Sequence, residues 1–144
     1  MFKNLLLLCG VAMMAAGCAS GGPGVDSANP LVMEEFKVPS DPGIQIYVRN
    51  KRPAGMTQFS PAKTVIYVHG ATYPAETAFD LQLDGKSWMD YIAERGYDVY
   101  LLDVRGYGGS TRPPQMDQPP GANPPFAGTE EAMRDVDAVV EFVK

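Results

Sequence analysis

The residues with chemistry to offer gather at two glycine bends. One is Val68-His69-Gly70-Ala71-Thr72; the other is Asp103-Val104-Arg105-Gly106-Tyr107-Gly108-Gly109-Ser110. His69 is the only histidine in the 144 residues, and therefore the only candidate imidazole base. The glycines of the second bend suggest a dinucleotide loop, but such a loop must open at once into a helix whose amino terminus holds the pyrophosphate. Thr111-Arg112-Pro113-Pro114 follows instead, and that reading fails. No cluster of histidine, cysteine and carboxylate residues has metal-ligand spacing.

Two apolar runs must position these bends. Thr64 to Val68 leads into the first and Asp98 to Asp103 into the second. Val65 to Val68 has no polar alternation, a pattern that suits a strand buried on both faces of a parallel sheet. A helical segment between the two runs makes a β-α-β unit, with a right-handed crossover expected. Both bends then lie at the carboxyl ends of neighbouring strands, where open α/β sheets hold ligands. Upstream, Met33 to Val38 and Gly43 to Arg49 read as a β-hairpin across Ser40-Asp41-Pro42-Gly43, since proline presets φ and glycine permits positive φ. Ile44, Ile46 and Val48 alternate with Gln45, Tyr47 and Arg49, as a half-buried strand should. Asn50 to Lys63, with Pro53, Gly55 and Pro61, reads as a loop, and Tyr73 to Asp84 is ambiguous.

Ser87 to Arg95 reads as a helix with Trp88, Tyr91 and Ile92 on one face and Gly96 as its stop. Six of the thirteen prolines fall between Pro113 and Pro125, which makes Thr111 to Phe126 a long loop. Thr129 is placed to cap a last helix, with Glu130 and Glu131 at its positive end. Ala132, Val136, Val139, Val140 and Val143 fall on one face of that helix.

A hydrophobic content of 45% and this length predict one modest domain with a core. The net charge of −5 and the lack of a basic run argue against a nucleic-acid surface. Residues 1–17 read as a signal peptide: Lys3, an apolar run from Leu5 to Gly17 too short to span a bilayer comfortably, then Ala15-Ala16-Gly17-Cys18. Small residues just before a cysteine resemble a bacterial lipobox, although Ala15 stands where that motif prefers leucine. The resemblance implies cleavage before Cys18 and lipidation of Cys18. Residues 18–31, rich in glycine and proline, would form a tether holding the domain 32–144 off the membrane. Cleavage also removes Cys9, so no intrachain disulfide is expected. The expected location is the periplasmic side of a bacterial membrane, or the periplasm or exterior if Cys18 is not lipidated.

The two bends, each ending a buried strand with one helix between, resemble the α/β-hydrolase family. The resemblance covers roughly Met33 to Lys144 and implies an incomplete α/β-hydrolase fold: a mostly parallel sheet with an amino-terminal β-hairpin. In that family the turn after His-Gly supplies an oxyanion-hole donor, which points to the backbone N–H of Ala71, with Thr72 as a second candidate. Gly70 would let substrate approach the backbone, and His69 would orient the turn rather than act as base. Asp103 and Arg105 would fix the second bend, in which Gly106, Gly108 and Ser110 are motif residues. The family's nucleophile sits in a G-x-S-x-G elbow. Gly85-Lys86-Ser87-Trp88-Met89 matches only in part, because Met89 replaces the second glycine and Ser87 precedes the second bend; Ser87 reads as a helix cap. Ser110 belongs to the second bend and is not the nucleophile.

These residues therefore contain neither nucleophile, acid nor base, and the expectation is the front part of a hydrolase that requires no cofactor. A small-molecule ester or amide would be the substrate. By family order the next strand, absent here, would pair with the Thr64 strand, whose apolar edge is otherwise exposed. A truncated, non-catalytic exported lipoprotein is the alternative, and a serine elbow in the coding frame past Lys144 would discriminate the two.

Overall fold

A computed structural model describes residues 30–119 and 121–144, so the expected signal segment 1–17 and Cys18 lie outside the described residues. Four strands, β1 (Leu31–Pro39), β2 (Gln45–Pro53), β3 (Thr64–Val68) and β4 (Asp98–Leu102), form one sheet in the order β1-β2-β4-β3. Helices α1 (Ala75–Phe79) and α2 (Trp88–Ala93) connect β3 to β4, and α3 (Thr129–Val143) follows.

The hairpin forms about the expected turn, with Gly43 at φ +80° and the Ile44 N–H donating to Asp41 O at 2.9 Å. β3 and β4 pair in parallel, which establishes the β-α-β unit. A mostly parallel sheet was expected; the described sheet is mixed and mostly antiparallel, because β1 pairs antiparallel with β2 and β2 pairs antiparallel with β4. The hairpin supplies half of the described strands, and docking it on β4 adds a second antiparallel ladder.

Period-two alternation along β4 divides the core into two layers. Val99 and Leu101 face α1 and α2 with Ala75, Met89 and Ala93, whereas Leu102 faces the α3 side with Ile46, Val48 and Val139. Each fully buried aliphatic side chain contributes about 1.5–3 kcal/mol. The central strand β4 is covered on both sides, as its unbroken apolar run suggests. β3 has the same pattern but occupies an edge among the described strands, and Val68 is 41% exposed. Expected burial on both faces is thus not met at β3.

Two boundaries and one helix face differ from expectation. β2 runs on to Pro53 through Asn50, Lys51 and Arg52, which had read as loop. Asn50 and Lys51 are buried but satisfied: Asn50 Nδ2 donates to Asp98 Oδ1 at 2.6 Å, and Lys51 Nζ bridges Asp80 and Asp90, each at 2.6 Å. In α2, Met89 and Ala93 face the sheet, while Trp88 is 54% exposed and stacks outward on Tyr91. Ser87 opens the helix through a capping box with Asp90. α3 is capped at Gly128 rather than Thr129, and Glu131 accepts from the Gly128 N–H at 2.9 Å. Its predicted apolar face packs against the sheet, with Val139 fully buried.

Candidate active site

Register sets the two bends side by side. Val68 pairs with Leu102, so His69 and Asp103 leave the sheet at the same level on adjacent strands. His69 ties them together. Its Nε2 accepts the Val104 N–H at 3.0 Å, which leaves Nδ1 as the protonated nitrogen donating to Gly70 O at 2.6 Å. The ring is buried and lies 4.6 Å from that of Tyr107. With both nitrogens engaged, this imidazole has no free atom with which to take a proton.

The second bend is held from inside. Asp103 is buried and accepts from two amides, Ala75 N–H on Oδ1 and Gly109 N–H on Oδ2, both at 2.8 Å. One carboxylate thereby joins the bend to the start of α1. Gly108 is required on two counts: its φ is +41°, and a Cβ there would stand 2.1 Å from Asp103 Oδ2. Gly106 also has a positive φ, +85°, and lies under Met116 of the proline-rich loop. Ser110 Oγ accepts from Tyr47 N–H at 2.7 Å and donates to Asp103 O, so its hydroxyl is fully used in stitching the bend to β2.

Arg105 reaches beyond the bend. Its buried guanidinium meets Asp135 of α3 in a two-pronged pair, Nε to Oδ2 at 2.9 Å and Nη2 to Oδ1 at 2.6 Å. The Arg105 N–H donates to the same carboxylate at 3.0 Å, and Nη1 lies 2.8 Å from Asp41. Asp135 first and Asp41 after it hold the guanidinium more firmly protonated, against the opposing cost of burial. In return Arg105, followed by Arg134, lowers the Asp41 carboxyl below its ordinary range.

The first bend is open by contrast. Gly70, Ala71 and Thr72 are exposed, and a Cβ on Gly70 would meet nothing within 4 Å. Among the described residues no group accepts from the Ala71 N–H. Thr72 sits at φ +90°, outside the usual range for a β-branched residue. Its N–H donates to the Tyr107 hydroxyl at 3.4 Å, and its own hydroxyl turns back to Ala71 O.

Ser87 is a cap, as expected: its Oγ accepts from Asp90 N–H at 2.9 Å and donates to Asp80 Oδ1 at 2.7 Å. Two contributors to the bends went unread, Asp135 and Tyr107. An acid at position 135 interrupts the apolar face of α3 between Ala132 and Val139, and that interruption was the available signal for a buried cationic partner.

No family model and no curated protein matches this chain. Among solved structures, a hypothetical protein from Pseudomonas aeruginosa is similar over 81% of this chain and 31% of its own length, with TM-score 0.53 and 17% identity. An esterase from Pyrococcus furiosus is similar over 79% of this chain and 36% of its own, with TM-score 0.50 and 19% identity. The chain is similar in fold to part of each of these two structures. It spans about a third of the length of each of these two structures.

Proposed function

We propose that this segment contributes the oxyanion-binding half of a serine-type α/β-hydrolase site acting on esters, with amides as the less favoured class. The observation that carries the reading is the Ala71 N–H, exposed and without an acceptor among the described residues, at the carboxyl end of β3 beside a bend locked by Asp103 and His69. A developing negative oxygen needs donors that are fixed before the reaction, and loss of one such donor typically costs roughly 3–4 kcal/mol of barrier. In the proposed step a serine oxygen bonds to the carbonyl carbon as its proton passes to the site's base, and the carbonyl electron pair moves onto its oxygen opposite Ala71. Collapse breaks the carbon–oxygen bond to the alcohol, which leaves with that proton; water then attacks the acyl group in the same way, freeing the acid and returning the proton to the serine. Neither Ser87 nor Ser110 has a hydroxyl free for attack, so the nucleophile, acid and base are assigned to sequence outside these 144 residues. The same reading includes export and attachment to a bacterial membrane through a lipid on Cys18.

The test is fluorophosphonate labelling of the native polypeptide isolated from its source cells, followed by peptide mapping. Label on a serine downstream of Lys144 supports the reading. A native polypeptide that takes no label and turns over no activated ester refutes it and favours the non-catalytic alternative. Globomycin sensitivity of processing tests Cys18 separately.

A further inference from the structure

Resting on the hydrolase reading, the geometry points to the phenol of Tyr107, rather than the Thr72 N–H, as the second oxyanion donor beside Ala71. The Thr72 amide is already spent on Tyr107 Oη, at 3.4 Å, and the Thr72 hydroxyl is turned back to Ala71 O. A phenol that accepts one hydrogen bond still has its own proton to give. Among the described residues nothing accepts that proton. Thr72 N is the next amide after Ala71 N, so the phenol oxygen sits one residue along from the free backbone donor.

The phenol is also held in advance, which is what a donor to a transient charge requires. Its ring packs against His69, whose two nitrogens are fixed by Gly70 O and Val104 N–H. Its backbone is clamped on both sides: Tyr107 N–H donates to Val104 O at 3.0 Å, and Ser110 N–H donates to Tyr107 O at 2.9 Å. Asp103 and Ser110 then anchor that bend to α1 and β2. Tyr107 keeps its proton throughout; it donates a hydrogen bond as the carbonyl oxygen gains charge and weakens that bond when the carbonyl re-forms.

Tyr107→Phe in the native polypeptide tests this, because the ring and its contact with His69 survive and only the hydroxyl is lost. With a p-nitrophenyl ester, kcat should fall by at least ~10-fold while KM stays within ~2-fold, since one charge-stabilising donor is worth up to 10²–10³ in rate. Affinity for a trifluoromethyl ketone, which forms a tetrahedral oxyanion on the enzyme, should fall in parallel with kcat. Unchanged kcat and ketone affinity in the variant, with the wild type active, would overturn the Tyr107 assignment and leave the hydrolase reading standing. Loss confined to KM and thermal midpoint would equally overturn it, because Tyr107 would then only brace the loop. If the wild type neither turns over ester nor takes fluorophosphonate label, the hydrolase reading fails and this assignment falls with it.

Discussion

The two bends end adjacent parallel strands at one level, yet they are built in opposite ways. The second, Asp103 to Ser110, is closed: Asp103, Arg105 and Ser110 are buried, and each spends its polar atoms on neighbouring elements. The first, His69 to Thr72, is open beyond His69, with an amide at Ala71 that has no acceptor among the described residues and a positive φ at Thr72. The lesson is a division of labour within one sheet end. A braced bend costs nothing in exposed donors and holds its neighbour still, while the neighbour leaves unsatisfied and strained groups where a ligand could use them.

Breaking the braced side should be the most damaging change. Asp135→Ala leaves the Arg105 guanidinium buried without its main partner, and loss of one member of a buried pair typically costs about 3–5 kcal/mol. Urea denaturation should show a fall of that size, whereas Asp41→Ala, at the more exposed end of the same network, should cost far less. Next, the glycines should separate the bends. Gly108→Ala meets Asp103 Oδ2 and an unfavourable φ, and should cost more than about 1 kcal/mol; Gly70→Ala, in open space, should stay within about 0.5 kcal/mol. Equal effects at the two glycines would erase the distinction.

Thr72→Gly should go the other way. Strain in an unusual backbone region is worth about 1–3 kcal/mol, and the added glycine entropy costs about 0.5–1 kcal/mol. A small rise in thermal midpoint is expected, with slower ester turnover if the strain positions Ala71. A pH effect lies away from both bends. Burial raises the Asp90 pKa, but Lys51, Gln82 and the Ser87 amide outweigh it and hold Asp90 at about 2, against an ordinary 3.8. Its folded-state pKa is depressed, so its stabilisation is present above pH 3.8 and is lost as pH falls through about 2. Asp90→Asn should flatten the decline of stability across that window.

How much of this was legible depended on whether a residue's partner was near it in sequence. The hairpin turn and the Ser87 cap were readable because proline, glycine and serine act within a few residues of themselves. Strand β4 was readable because every residue in it must be compatible with burial. Strand β3 carries the same signal, and its edge position follows from which strands flank it, which no local pattern reports. Asn50 to Arg52 looked like loop because their polar groups are answered far along the chain: Asn50 by Asp98, Lys51 by Asp80 and Asp90, and Arg52 by Glu34, 18 to 48 positions away. The outward turn of Trp88 was hidden for a related reason: the face of this six-residue helix that packs on the sheet is Met89 and Ala93, beside Val99 and Leu101 of a strand later in the chain. At the candidate site the motif spacing located both bends and left unread the Asp135 brace and the Tyr107 contact that joins them.

The central claim is that the Ala71 amide proton stabilises a negative oxygen, and a single-atom change tests it most directly. Replacing Ala71 by lactic acid in the native polypeptide turns that N–H into an ester oxygen without altering the side chain. A fall in kcat of about 10²–10³ with an unchanged thermal midpoint is predicted. Retention of full kcat by the ester-linked protein would contradict the account.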